Sequence, residues 1–451
     1  MLTLESKHRW PTLGLLLFSI LFVLVMHRGW AWDGVGGGFH PGHVWAADQV
    51  SAMVAGRESW SGATSRIGFP EPVQLRLIGW APLLLAVPLG WLLGSPLAIW
   101  VVIVAGLFAT TLVTKALIER MYEVAPWTAA MAALTYAVCP FSLGVLANGQ
   151  LAKMQLWCLP LLLLFADKVL RDSNKKMATV GLLASSVVMA FTSPSIGLVM
   201  PIALAVWVLF RTPGMVSWRW SLIVLVVAAT GMLPAWWMHT APSALTVGLL
   251  PAAPVPGLMS PPYLSPVATL SGLVGTGVRW DGMRTAINNV AVLGIPGLVA
   301  GVLALLVRSR VALLGVALCV AGVALALGPS VNALGFVWVM PAELLDRLGY
   351  PLQESGMYYR FVQVASLGLA LCCVAPALLW PRHGRWLVAV LALVVCADSI
   401  RITAPLWPRS IRSIGHTAIY TAMANDAVAG AVLELPLSHI DTEGERRLMG
   451  Q

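Results

Sequence analysis

Long apolar stretches, separated by short charged islands, run through most of the chain. Each stretch is about 16 to 22 residues long, which is the length that a helix needs to cross the hydrocarbon core of a bilayer. A helix satisfies its own backbone groups there, so the pattern predicts an all-α membrane protein with about eleven spans. The predicted spans are 11–26, 97–114, 127–146, 154–170, 177–193, 195–210, 219–238, 290–307, 311–328, 361–380 and 386–400.

The first span follows the polar segment MLTLESKHRW. A charged start and a short apolar run are typical of a signal peptide. No small-residue cleavage site follows, because the next residues are His27, Arg28, Gly29 and Trp30. The sequence therefore predicts that 11–26 is an uncleaved first span.

Composition agrees with a membrane protein. Hydrophobic residues make up 59% of the chain and charged residues 10%, against about 25% charged residues in ordinary soluble domains. The formal net charge is +9. In a chain with this many apolar spans, basic residues are better explained as markers of cytoplasmic loops than as a nucleic-acid surface.

The segment 77–93 is apolar but is interrupted by Pro82, Pro88 and Gly90. If it does not cross, the short basic islands all fall on the same side as the N-terminus. If it crosses, they all fall outside, against the positive-inside rule. We therefore predict a juxtamembrane or re-entrant element in an inner-membrane protein with a cytoplasmic N-terminus. The islands are Lys115/Arg120, Arg171/Lys175/Lys176, Arg211/Arg219, Arg308/Arg310 and Arg382/Arg385.

This topology divides the chain into two parts. Residues 1–400 form a transmembrane domain whose long first outer loop covers 27–96. Residues 401–451 begin an extracytoplasmic soluble domain, in which VLELPL at 432–437 is typical of a buried strand. Since one strand cannot form a core, we expect the chain to be part of a longer protein.

Within the first loop, the apolar spacing over 40–57 predicts a short amphipathic helix along the outer membrane face. We expect Trp45 to face lipid and Asp48 to face a cavity. The spacing rests on Val44, Ala47, Val50 and Val54.

Two carboxylates lie within predicted spans and need partners. Asp167 lies near the inner end of its span, and we expect it to pair with Lys168 or Arg171. Asp398 is expected to pair with Arg401, which is one helical turn further along.

Several segments resemble the C class of membrane glycosyltransferases (GT-C fold), and in particular large bacterial multi-pass proteins of that fold. The first loop contains HPGHVWAADQVSAMVAGR and a Pro-rich apolar stretch that ends before the second span. The resemblance continues at 133–164, at ALGPSVNALGF with the later YYRF, and at VLELPL. These segments are spread over most of the chain.

The resemblance implies transfer of a sugar from a polyprenyl-phosphate donor at the outer membrane face. A carboxylate would deprotonate the acceptor, and an arginine or a divalent cation would hold the phosphate. The candidate catalytic residues are Asp48, Asp33 and His43. Candidate substrate-binding residues are Arg360, Tyr359, Gln150 and Lys153.

Other interpretations stay open. His43 stands where the family has its first-loop Asp, so an inactive scaffold of the same fold is one alternative. A transporter or flippase of a lipid-linked substrate is another, although such proteins usually carry paired halves and buried midplane charges. Asp48 could be solvated, and Arg360 could anchor its helix at the interface. The donor sugar, the acceptor, a metal requirement and the oligomeric state cannot be read from the sequence.

Overall fold

The computed structural model describes most of the chain. The described residues are 6–28, 34–35, 40–60, 63–64, 73–77, 79–147, 149–211, 218–240, 245–247, 293–328, 330–333, 336–348, 358–404, 407, 409–410 and 412–413. Asp33, most of the loop 239–289 and the VLELPL segment lie outside these residues.

The first 240 residues form ten helices among the described residues. α1 is the N-terminal span, and α2 and α3 belong to the first outer loop. The bounds are α1 Ser6–Met26, α2 His40–Val54, α3 Trp80–Leu93, α4 Ser95–Tyr122, α5 Pro126–Ala137, α6 Pro140–Ala147, α7 Cys158–Arg171, α8 Lys175–Thr192, α9 Pro194–Arg211 and α10 Trp218–Thr240.

The later part of the chain is also helical where it is described. A short 3-10 turn, Tyr358–Phe361, leads directly into α14. The helices are α11 Gly294–Val307, α12 Arg310–Ala326, α13 Pro341–Arg347, α14 Val362–Cys372, α15 Ala375–Leu379 and α16 Gly384–Thr403. A helix therefore occupies each of the predicted spans, which confirms the all-α membrane class.

Length and composition single out fewer of these helices as membrane crossings. Among the described residues, four apolar helices reach the length of a span: Arg9–Met26, Ser95–Tyr122, Val362–Leu379 and Gly384–Thr403. The α5–α6 pair makes a fifth if it is counted as one broken span, because the two helices meet at a bend of 54°. Pro140 begins α6, and proline cannot donate the hydrogen bond that would continue α5.

Short strands connect the loops that follow the helices. β1 (His27–Arg28) pairs in parallel with β8 (Arg409–Ser410), and β2 (Gly34–Val35) pairs with β9 (Arg412–Ser413). The start of the tail therefore lies against the first loop. The other strands are β3 Ala63–Thr64, β4 Val73–Leu77, β5 Leu245–Val247, β6 Ser330–Ala333 and β7 Phe336–Val339, paired β3–β4–β5 and β6–β7.

The helices α12 and α14 cross at very short distance. A Cβ added at Gly322 would lie 2.4 Å from the backbone nitrogen of Ala365, and one at Gly368 would lie 2.5 Å from the carbonyl oxygen of Gly315. Only glycine allows the two backbones to approach this closely. This packing fixes the N-terminal end of α14, which carries Gln363 and follows the 3-10 turn with Arg360.

Charged residues meet at one end of the bundle, which we call the basic end. Asp167 on α7 accepts hydrogen bonds from Arg120 on α4 at 2.6 Å and from Arg211 on α9 at 2.7 Å. The prediction that Lys168 or Arg171 neutralises Asp167 was incomplete: Arg171 is only a distant partner, with its Nε 3.7 Å from the carboxylate. The two closer arginines come from other helices and reach Asp167 from the side that faces the bundle.

Four of the five predicted basic islands are joined at this end. Besides the contacts of Asp167, the ammonium of Lys175 lies 4.4 Å from the ring centre of Trp220. The hydroxyl of Tyr122 donates to the carbonyl of Val311, next to Arg310, at 3.2 Å. These contacts place the islands on one face of the protein, as the topology prediction requires.

Candidate functional site

The opposite end of the bundle, which we call the loop end, holds those predicted site residues that the structure describes. α4, α7, α8 and α9 each have one terminus at the basic end, so their other termini lie at the loop end. α2, the segment 149–157 between α6 and α7, and the 3-10 turn before α14 also lie at this end.

The predicted helix in the first loop is confirmed as α2, but its surroundings differ from the prediction. Most of its residues between Val44 and Met53 are buried, and Trp45 packs against the core instead of standing free toward lipid. α2 is therefore packed into the bundle against α3 and α4. The alanines Ala46, Ala47 and Ala52 explain this burial, since their small side chains allow neighbouring helices to come close.

Two side-chain hydrogen bonds attach α2 to the α3–α4 hairpin. The indole of Trp91 donates to the hydroxyl of Ser51 at 2.7 Å. One turn away, the hydroxyl of Ser95 donates to the carboxylate of Asp48. Between Trp91 and Ser95, Gly94 makes the turn with a φ of 81°, a conformation that suits glycine. Asp48 is exposed and is not among the residues that line the cleft described below, so its predicted position facing a cavity stays a prediction.

His43 lies close to Lys153 in the segment 149–157. Burial of the imidazole, and then the positive charge of Lys153, lower the pKa of His43 from 6.5 to about 4. At neutral pH the imidazole is therefore uncharged and is a weak base. The effect of Lys153 on His43 indicates that the first loop and the segment before α7 lie on the same side of the bundle.

Hydrogen bonds of Gln155 hold the segment 149–157 in place. Gln155 accepts a hydrogen bond from the indole of Trp157 at 2.7 Å and donates to the carbonyl of Leu151 at 3.2 Å. It packs directly on α4, because a Cβ at Gly106 would lie 2.8 Å from its amide nitrogen. Gln150 is also buried, and its side-chain oxygen has no hydrogen-bond partner among the described residues.

An apolar cleft of about 330 Å³ opens beside this segment. It lies between α3, α8 and the residues just before α7, and its polar lining consists of Gln155 and Thr192. The cleft offers room for a hydrocarbon chain but no charged group. Its lining residues are Ala81, Pro82, Leu85, Gln155, Trp157, Val188 and Thr192.

Arg360 lies in the 3-10 turn that begins α14, as the sequence predicted for the start of this span. Its side chain is only 4% exposed, so it does not extend into the interface as an ordinary anchor would. Gln363, close by in sequence, is also buried, and neither of its amide atoms has a partner among the described residues. The turn packs on α9, α12 and α14. Whether Arg360 and α2 share one pocket stays a prediction.

Two candidates cannot be located. Asp33 lies outside the described residues, as does the side chain of Tyr359. Within the described part of the chain, no group of three or more His, Cys, Asp and Glu side chains is arranged to hold a metal ion.

Sequence reasoning missed three residues of this region. Ser95, which holds Asp48, and Ser51, which holds α2, are hydroxyls in apolar surroundings. Gln49 is fully buried, and both of its amide atoms lack a partner among the described residues. A polar residue at an apolar position of the predicted loop helix was the one signal that could have identified Gln49.

Comparisons with known proteins add no assignment. No protein-family model matches the chain, and a search of curated proteins finds no significant match.

Proposed function

We propose that this protein transfers a sugar from a polyprenyl-phosphate donor to an acceptor at the outer face of the cytoplasmic membrane. The observation that carries the proposal is that α2 bears an exposed carboxylate, Asp48, and also His43, whose pKa is lowered in part by the charge of Lys153. Inverting glycosyl transfer needs two groups: a base for the acceptor hydroxyl and a positive charge for the leaving phosphate.

The residues divide the work as follows in this proposal. Asp48 deprotonates the acceptor, with Ser95 holding its carboxylate in place. His43 is the alternative base, since its lowered pKa leaves the imidazole neutral and able to accept a proton at neutral pH. Lys153 and Gln150 bind the phosphate and the sugar, and Arg360 contributes a second positive charge if the loops converge.

The finer architecture belongs to the same proposal. We infer about eleven spans in a GT-C arrangement, with α3 as the juxtamembrane or re-entrant element. The basic end faces the cytoplasm and the loop end faces outward, following the one-sided distribution of Lys and Arg. What supports this orientation is that four basic islands are joined at one end of the bundle.

Release of free polyprenyl phosphate measures this activity without knowledge of the acceptor. The full chain in proteoliposomes is supplied with a polyprenyl-phosphate sugar and with membrane extract as a source of acceptors. We expect Asp48→Asn to lower the rate by about 100-fold or more, the usual contribution of a general base. Lys153→Gln should mainly raise KM for the donor.

Glu58→Gln is the matched control, since it removes a carboxylate from the same loop just beyond α2. Its rate should equal that of the unaltered protein. An unchanged rate in Asp48→Asn would contradict the proposed base. Movement of the donor across the bilayer without release would favour a transporter, and neither activity would favour an inactive scaffold.

A further inference from the structure

The ion cluster at the basic end leaves one arginine incompletely neutralised. Asp167 is fully buried, and its two oxygens are occupied by Arg120 and Arg211. Asp172 accepts from the second arm of Arg120 at 2.5 Å. Three arginines thus surround two carboxylates, and Arg171 is the third, with its Nε 3.7 Å from Asp167. That distance is beyond a hydrogen bond.

Arg171 also differs from its neighbours in exposure. Its side chain is 47% exposed, whereas that of Arg211 is 5% exposed. The guanidinium is repelled by the other two arginines. An anion that approached from outside the bundle would be attracted by this excess of positive charge.

Further cations and aromatic rings surround this position. Lys175 is not available to such an anion, since its ammonium donates to the carbonyl of Val169 at 2.8 Å and covers Trp220. This contact brings the start of α8 next to the start of α10. Lys176 and Arg219, which flank Lys175 and Trp220 in sequence, are both exposed, as is Trp218.

We propose that Arg171, Lys176 and Arg219 form a binding site for the phosphate of an anionic phospholipid. The planar guanidinium fork binds phosphate oxygens in pairs. An exposed tryptophan beside basic residues is the usual composition of the membrane–water interface, where a headgroup phosphate lies. A lipid is therefore preferred over a soluble anion as the occupant. The site is independent of the proposed sugar transfer and lies at the other end of the bundle.

Retention of phosphatidylglycerol by the purified full chain, measured by native mass spectrometry in detergent, tests the proposal. Phosphatidylcholine serves as the neutral lipid. In detergent only the residues that contact the bound headgroup affect its retention, and each of the three is expected to contribute about a fivefold gain, which corresponds to about 1 kcal/mol per basic residue. We expect Arg171→Gln to weaken retention by about fivefold, and the triple Arg171→Gln/Lys176→Gln/Arg219→Gln variant by roughly 100-fold.

Arg385→Gln is the matched control. Arg385 lies 5.8 Å from the ring centre of Trp386, so it offers the same arginine–tryptophan pair without the cluster around Asp167. Its retention of phosphatidylglycerol should equal that of the unaltered protein. Should Arg171→Gln fail to fold, the Lys176→Gln/Arg219→Gln pair carries the test with an expected loss of roughly 25-fold.

Three results would overturn the proposal. The first is equal retention of phosphatidylglycerol and phosphatidylcholine. The second is unchanged retention in the triple variant or, if that does not fold, in the Lys176→Gln/Arg219→Gln pair. The third is full displacement of the lipid by millimolar inorganic phosphate, which would identify a site for a soluble anion.

Discussion

The two ends of the bundle differ in whether their buried polar side chains have hydrogen-bond partners among the described residues. At the basic end, the buried carboxylate of Asp167 is matched by Arg120 and Arg211, which are brought from other helices. At the loop end, Gln49 and Gln363 are buried with amide atoms that have no partner among the described residues. The basic end is thus arranged for stability, whereas the loop end retains groups that cost stability.

An unsatisfied amide is a larger liability than the comparable groups near the basic end. Those are the hydroxyl of Thr114 and the indole of Trp207, each with a single donor. Buried polar atoms without partners are uncommon in folded proteins and call for a reason such as ligand binding. The difference between the ends therefore favours the loop end as the place where the protein binds its substrate.

Accessibility to a reagent outside the cell gives the largest contrast, because it is all or none. In a variant without the six native cysteines, Arg57→Cys at the loop end should react with an impermeant maleimide in intact cells. Lys176→Cys at the basic end should react only after the membrane is opened. Both side chains are exposed, so a difference reports sidedness. Labelling of position 176 in intact cells would reverse the proposed orientation.

Removal of the buried carboxylate of Asp167 has the next largest expected effect. Asp167→Asn leaves Arg211 buried without its counter-charge, and breaking such a pair costs about 3–5 kcal/mol. The free energy of unfolding in detergent, or the corresponding drop in Tm, measures this loss. Asp172→Asn is the control, since its side chain is 38% exposed and an exposed pair contributes about 0–1 kcal/mol. Equal effects of the two substitutions would contradict the special position of Asp167.

Local features of the sequence were predicted well, and contacts between distant segments were not. The helices in the apolar segments and the helix α2 follow from patterns within one segment, although only four or five helices among the described residues qualify as membrane crossings. So does the pair of Asp398 with Arg401, which are three residues apart and hydrogen-bonded at 2.8 Å. Arg120 and Arg211 lie 47 and 44 residues from Asp167, and no local pattern points from one to the other.

The candidate site shows the same limit. Lys153 was proposed from its place at a span end, but its closeness to His43 depends on how the segment 149–157 folds back on α2. The burial of α2 depends on the packing of α3 and α4 around it. Hydrophobicity alone could not distinguish a helix on a membrane surface from one inside a bundle, since both are apolar on at least one side.

Replacing an unsatisfied amide at the loop end should raise the free energy of unfolding, whereas the loss of Asp167 lowers it. Gln49→Leu removes two buried polar atoms that lack partners and keeps a similar volume, so we expect a gain in stability of about 1 kcal/mol. Gln155→Leu is the matched substitution at a satisfied glutamine, and it should cost about 1–3 kcal/mol because Trp157 loses its acceptor. Thermal unfolding of the two variants measures the difference. Destabilisation by both would remove the contrast between the ends.

The last effect is a dependence of stability on pH that comes from His43. Its pKa in the folded protein is lowered from 6.5 to about 4, so the unfolded chain binds a proton more readily than the folded one. The stability from the neutral imidazole is present above pH 6.5 and is lost as the pH falls toward 4. His43→Gln should therefore flatten the fall of Tm between these values and leave Tm nearly unchanged above them.

Lys153 provides the second half of this test. Its positive charge contributes to the lowered pKa of His43 through repulsion. Lys153→Gln should raise that pKa and so narrow, from the acid side, the pH range over which Tm falls. Because burial is the larger cause, the slope should shrink without vanishing. A Tm profile that is the same in the unaltered protein, His43→Gln and Lys153→Gln would show that α2 and the segment 149–157 do not meet at this point.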